Sequence, residues 1–239
     1  MIISESLILR DETRLEEIFE CLRKGGVIIY PTETVYGIGG ALSSANATEK
    51  IFALKDRERS RALLSITYDL RQAESFAQFR FGLEYRLFEC FGAEGLTVVL
   101  DARAFVSTRV RGGANTLGVR LASTELCRLF TERLAEPLTT TMANLSNRLI
   151  PDAAMGDVIP RKLSDVPQGL IDQVDYAIDG GNLPEHFPST ILRVIEENRI
   201  IIYREGVLKR ETIEKELGVT TAYAQLPGER SDVSIPDHR

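Results

Sequence analysis

The sequence predicts an α/β domain built on one mixed sheet. Three observations carry that expectation. Apolar residues recur at helical spacing in some windows and as short β-type runs in others, and the two kinds alternate along the chain. Two late strand-like runs lie close together, which fits a mixed rather than an all-parallel sheet. The 239 residues, 44% of them hydrophobic, suffice for one sizeable core, or one core with a small appended lobe.

Leu15, Ile18, Phe19 and Leu22 fall on one helical face, and Gly25-Gly26 ends that helix. Val27-Ile28-Ile29-Tyr30 is then a buried strand, broken at Pro31. It leads into a turn, “PTETVYGIGG”, rich in hydroxyls and spaced glycines. A second helix is expected from Asn46 as N-cap, with Ala47, Ile51 and Leu54 on one face. Residues 63–66 read as a short strand, 70–79 and 84–91 as helices, 96–100 and 117–121 as strands, and 124–134 as an amphipathic helix. Pro137-Leu138 opens a Thr-rich strand, and 176–178, 190–194 and 200–203 complete the sheet. One domain is expected over 1–208. Residues 209–239 are expected to form a C-terminal helix and, from about Leu226, a polar Pro-containing tail.

Composition narrows the function classes. No window approaches the ~20 apolar residues that span a bilayer, and no basic-then-apolar leader opens the chain. The expected compartment is the cytoplasm, with no membrane partner. Cys21 and Cys127 sit among apolar neighbours and are expected to be buried free thiols. Two histidines predict no histidine-rich metal centre, and a net charge of −6 argues against indiscriminate nucleic-acid binding.

Four stretches hold polar residues that a core would not require. The turn at Thr32, Glu33 and Thr34 is either a plain hairpin connection or part of a small-ligand pocket, with Gly37 and Gly39 letting backbone approach the ligand. “LKDRERSR” is either a solvated helix end or, if extended, a place where Lys55 and Arg57 aim two cations the same way at a polyphosphate. Both are expected to bury little. “PLTTTMANLSN” is ordinary strand chemistry that ends on Asn144, Ser146 and Asn147, donors and acceptors at a loop. In “LGVRL”, alternation puts Val119 and Leu121 on one face and Gly118 and Arg120 on the other. Arg120 then faces water or a fixed anion, a carboxylate or a phosphate.

Taken together, “GGVIIYPTETVYGIGG”, “ALKDR”, “LGVRLA”, “PLTTTMANLS”, “PSTILRV” and “YREG” resemble the YrdC-like threonylcarbamoyl-AMP synthase family, in order and spacing, from about Gly25 to Gly206. The resemblance implies a twisted open sheet with flanking helices and a concave ligand cavity, so that 1–208 is a YrdC-like catalytic domain. It implies the joining of L-threonine, bicarbonate and ATP, with Mg²⁺ on the phosphates, into threonylcarbamoyl-adenylate with release of pyrophosphate. The adenylate then serves a downstream tRNA threonylcarbamoyl transferase complex, with tRNA contact possible here too.

Carried over residue by residue, the family's lysine and arginine fall on Lys55 and Arg57, as catalytic and phosphate-binding groups. Asn144, Ser189 and Arg204 join them on the ATP side. Thr32, Tyr36 and Arg120 fall where the family holds threonine. No residue is assigned to bind a metal directly. Two departures stand out: Met142 replaces the family's phosphate-side serine, and Ala93, Glu94 and Gly95 replace a Pro-Gly-Pro-like run. They keep two alternatives open, a divergent YciO-like paralogue acting on another carbamoylated or tRNA-linked substrate, and a non-catalytic RNA-binding module. Met142 is expected to share a side of an extended strand with Thr140 and Asn144.

Overall fold

The structure, a computed structural model, describes residues 1–145, 159–184 and 187–224. A three-residue strand, β1 (Ile2–Ser4), runs into a one-turn helix, α1 (Glu5–Ile8), neither long enough to leave a periodic signal. The first amphipathic helix, α2 (Glu12–Arg23), is capped by Asp11, whose carboxylate accepts from the Thr13 and Arg14 amides, both at 3.1 Å. Leu15, Ile18, Phe19 and Leu22 form its buried stripe, as their spacing predicts. Gly25, at φ +86°, then turns the chain into β2 (Ile28–Pro31).

The glycine-spaced stretch is a strand, not a turn. β3 (Tyr36–Ala41) pairs antiparallel with β2, and the true connection is only 32–35. Gly37 and Gly39 open no space to a ligand, because the Tyr30 ring fills it. A Cβ at Gly39 would lie 3.3 Å from that ring's Cε1 and 2.5 Å from the Thr139 carbonyl oxygen. The Tyr30 hydroxyl donates to Thr140 Oγ1 at 2.8 Å, beyond both glycines. An aromatic ring laid over strand glycines is a recognised way of protecting them.

Helix α3 (Ala45–Leu54) is capped by Ser44, whose Oγ accepts from the Ala47 amide at 3.1 Å; the expected cap, Asn46, lies inside the first turn. After β4 (Leu64–Thr67), helix α4 (Leu70–Phe76) stops three residues before the predicted end. There β5 (Ala77–Gln78) leaves to pair with the chain at Ala102 and Asp101. α5 (Gly82–Phe91), β6 (Leu96–Ala102), β7 (Thr116–Leu121), α6 (Glu125–Leu134) and β8 (Leu138–Met142) follow close to expectation. A short α7 (Gln168–Ile171) precedes β9 (Tyr176–Asp179), β10 (Thr190–Glu196) and β11 (Arg199–Arg204). The expected C-terminal helix is α8 (Arg210–Leu217). It buries Ile213 and Leu217 in the main core and leads to a further strand, β12 (Thr220–Tyr223). The expected tail, and Ser146 and Asn147, lie outside the described residues.

Among the described residues twelve strands join one open, twisted sheet in the order β1-β9-β2-β3-β8-β4-β7-β6-β10-β11-β12, with β5 beside β6. β1, β2 and β9 run parallel, Ile2 opposite Ala177, whereas β3 and β8 run antiparallel to their neighbours, so the sheet is mixed. Partners in register share a face. Ile29, Ile38, Val98, Val119, Leu192 and Ile202 fall on one face, in the larger apolar cluster with residues of α3, α5 and α8. Ile28, Tyr30, Ile66 and Leu138 fall on the other, beneath α2 and α6, where Phe19 meets Phe130 edge-on at 5.6 Å.

Two outcomes follow from this packing. Gly39→Ala is expected to cost about 1–3 kcal/mol by overpacking, and to lower Tm by several degrees in a thermal melt. An unchanged Tm would show that β3 and β8 part easily. Thiol labelling near neutral pH is expected to modify Cys90, which is exposed, before Cys21, which is half-buried rather than fully buried. Cys127 is buried and its thiol pushed up to about 12 by burial, so it should react only on unfolding, because the thiolate is the nucleophile.

Candidate active site

The 32–35 connection is folded on a single hydroxyl. Thr32 Oγ1 donates to the Val35 carbonyl at 2.7 Å and accepts from the Thr34 and Val35 amides, both at 3.2 Å. This threonine therefore fixes its own turn, as Thr hydroxyls do, and sits 3.3 Å from the Thr34 hydroxyl. The turn in turn aims Glu33 and Thr34 at Arg120. Arg120 donates from Nε to Glu33 Oε1 at 2.8 Å and from Nη2 to the same oxygen, and Nη2 also reaches Thr34 Oγ1 at 2.9 Å. Of the two alternatives for this arginine, the fixed anion is the one realised, and it is a carboxylate from the 32–35 turn. With Arg120 only 6% exposed, removing its partner would cost about 3–5 kcal/mol, the usual loss when one member of a buried pair is deleted.

Register places further polar groups on the face that carries Arg120. Gly118 is opposite Val99 and Thr97 opposite Ile191, and a register shift between Ile191 and Leu192 sets Arg204 opposite Ile191, out of step with Ile202, so Arg120, Thr97, Ser189 and Arg204 share one side of the sheet. Their contacts agree. Thr97 Oγ1 donates to Ser189 Oγ at 2.9 Å, and Arg204 donates to the Ser189 carbonyl from Nε at 3.1 Å and Nη2 at 2.9 Å. Gly206 closes this corner: its amide donates to Thr190 Oγ1 at 2.9 Å, and a Cβ there would lie 1.9 Å from the Pro188 carbonyl oxygen. Gly95 joins it to the turn, since a Cβ on it would sit 3.0 Å from Thr34 Cγ2 and 3.8 Å from Arg120 Nη2. Of the departing residues Ala93, Glu94 and Gly95, only Gly95 is buried; Glu94 is exposed.

The cations of “LKDR” diverge. Asp56, at φ +46°, is the left-handed residue after α3. The Arg57 amide bonds back to the Phe52 carbonyl and that of Asp56 to Ala53, the paired bonds of a Schellman ending. A left-handed residue between them destroys the alternation that would have aligned the two side chains. Arg57 folds back on its own loop, donating to the Arg61 and Ala62 carbonyls at 3.1 and 2.7 Å. Lys55 is fully buried, contrary to the expectation that it buries little. Its ammonium donates to the Met142 carbonyl at 2.6 Å, to the Asn144 carbonyl and to Asn144 Oδ1 at 2.9 Å. The structure thus joins Lys55 to Asn144 at the end of β8. β8 stops at Met142, and the Asn144 amide bonds back to the Met142 carbonyl at 2.9 Å. The chain is bent there, so the extended alternation that placed Met142 and Asn144 on one side does not hold.

Tyr36 is set apart from the Arg120 group. Its side chain falls on the opposite face, where the hydroxyl donates to the Gly181 carbonyl at 2.8 Å and accepts from the Gly180 amide at 2.9 Å. Burial, with Asp179 nearby, pushes this phenol up to about 12. It anchors the end of β9. Among the described residues no cluster of His, Cys, Asp and Glu could hold a metal ion. An open groove of ≈ 750 Å³ runs along α2 past Glu16, Cys21 and Tyr176 and contains none of these side chains. Sequence reasoning left two members of the site without a role. Glu33 could have been found from the need of a buried Arg120 for an anion. Thr97 could not, because its place beside Ser189 depends on the β6–β10 pairing.

The sequence model of the Sua5/YciO/YrdC family, described as telomere recombination, matches residues 20–206. The threonylcarbamoyl-AMP synthase of Pyrococcus abyssi is 27% identical over 213 residues, 89% of this chain and 60% of that protein. An Escherichia coli K12 protein, YciO, described as uncharacterized, is 26% identical over 194 residues, 81% of this chain and 89% of that protein. The crystal structure of P. abyssi Sua5 complexed with L-threonine matches with a TM-score of 0.78 at 27% identity, covering 89% of this chain and 60% of the other. That of E. coli YciO gives 0.71 at 23% identity, over 85% of this chain and 94% of the other, a likeness of fold. The matched stretch contains the turn, Arg120, Ser189, Arg204, Lys55 and Asn144, and the chain belongs to the Sua5/YciO/YrdC family.

Proposed function

We propose that this chain is a threonylcarbamoyl-AMP synthase, condensing L-threonine, bicarbonate and ATP and releasing pyrophosphate. One observation carries the reading. The Thr32–Thr34 turn, Arg120, Ser189 and Arg204 converge on one face, in a fold shared with a Sua5 structure complexed with L-threonine. The reaction asks little covalent chemistry of the protein. The carbamate formed from the amine and bicarbonate attacks the α-phosphate, and pyrophosphate leaves. What is needed is positioning of two anions and positive charge on the phosphates.

In this reading Lys55, Asn144, Ser189 and Arg204 face ATP, whose phosphates bring Mg²⁺, Arg57 joins them by leaving the Arg61 and Ala62 carbonyls, and Thr32 and Arg120 line the threonine side. Tyr36 supports that side indirectly, its hydroxyl holding the end of β9 rather than touching threonine. The Lys55 ammonium already lies against Asn144 Oδ1, so it can turn from the Met142 and Asn144 carbonyls to a phosphate with Asn144 beside it. The adenylate is unstable in water and would pass to a tRNA threonylcarbamoyl transferase in the cytoplasm. Among the described residues no helix is long and apolar enough to cross a membrane.

A divergent, YciO-like activity is the second reading, favoured by Met142 in place of the family's serine.

Pyrophosphate release measured with each substrate omitted in turn tests the proposal. Release should require threonine, bicarbonate and ATP together; release that ignores threonine would favour the second reading. Met142 is half-buried on the face that carries Thr140. Met142→Ser is expected to raise turnover or ATP affinity by up to about tenfold, the worth of one hydrogen bond of about 1.4 kcal/mol. A fall in Tm with no gain in ATP handling would show that Met142 serves packing alone.

A further inference from the structure

We propose that Glu33 is the group that reads the substrate's amine, an inference that rests on an amino acid being the substrate. The carboxylate is half used. Both arginine donors, Nε and Nη2 of Arg120, go to Oε1, and Oε2 has no hydrogen-bond partner among the described residues. The pair is open on the carboxylate side, where the Glu33 side chain keeps 19% exposure against 7% for Arg120. An acceptor oxygen is therefore held rigidly beside a buried guanidinium, inside a turn that Thr32 fixes and next to the Thr34 hydroxyl.

The charge of a fitting ligand follows. An incoming carboxylate aimed at Nε or Nη2 would have to displace Glu33 and would leave two carboxylates side by side, an unfavourable pairing. An ammonium needs no displacement, because Oε2 accepts it while Oε1 stays on Arg120. Arg120 Nη1, which makes no hydrogen bond among the described residues, remains for the ligand's own carboxylate. The pair as built suits a zwitterion, amine toward Glu33 and acid toward Arg120. Ammonium-to-carboxylate bonds are among the stronger hydrogen bonds, so the amine should be a main determinant of affinity.

Calorimetric binding of L-threonine to the full chain is compared with that of its hydroxy-acid analogue, in which a hydroxyl replaces the amine. The wild-type protein should prefer L-threonine by about tenfold or more, and Glu33→Gln should reduce that preference to within about twofold while ATP binding is kept. An unchanged preference in Glu33→Gln overturns the inference and leaves the proposed reaction standing. Absence of threonine binding in the wild type overturns the proposed reaction, and the inference with it. Should Glu33→Gln fail to fold, Glu33→Asp, which keeps the charge and withdraws it by one methylene, takes its place. Threonine binding about tenfold weaker with ATP binding intact supports the role, and unaltered threonine binding overturns it.

Discussion

Strand β3 is where three layers approach more closely than side chains allow. On one side the Tyr30 ring lies over Gly37 and Gly39. On the other, a Cβ at Gly40 would meet Ala47 Cβ of α3 at 2.7 Å and the Gly26 carbonyl oxygen at 2.8 Å. Side chains at these positions would push α3 away from the sheet or part β3 from β8, and both movements reach the candidate site. α3 carries Lys55 at its end, and β8 carries the carbonyl that receives it. The glycines therefore bear on the candidate site through distance: they set how far Lys55 stands from Asn144.

The second organising feature is a change of character across one face of the sheet. Under α2 and α6 that face is apolar, with Ile28, Ile66, Leu138 and Phe130 in one cluster. Beyond β4 the same face presents Gly118, Arg120, Thr97 and Ser189 instead. Those polar groups are buried and mutually bonded rather than solvated, which holds them in place at the cost of ion pairing and hydrogen bonding that each must satisfy. A site assembled this way is largely pre-formed, and a ligand has to fit partners already in position.

Much of this was legible in the sequence because it is local. The stripe of α2, the strand at 27–30, the amphipathic α6 and the alternation around Arg120 are all written in spacing alone. The errors came from geometry that spacing does not encode. “TVYGIGG” has turn composition but strand conformation, because Tyr30 supplies from the neighbouring strand the bulk that the glycines lack. “KDR” reads as an extended pair, yet one left-handed aspartate sends its cations apart. The motifs offered candidate residues, whereas the partners of those residues were set by pairing across the sheet, as with Thr97 and Ser189, 92 residues apart.

That long-range pairing has a consequence for how the chain is made. β1 takes its place only against β9, with Ile2 beside Ala177 and Ser4 beside Asp179, and β2 gains its outer neighbour from the same late strand. During synthesis the first thirty or so residues leave the ribosome long before their partner exists. At roughly 5–20 residues per second that interval lasts on the order of ten seconds or more. The apolar strand β2, with Ile28, Ile29 and Tyr30, spends it with one edge unpaired, open to other nascent chains. Slowed translation between β2 and β9 would lengthen that exposure and favour misassembly.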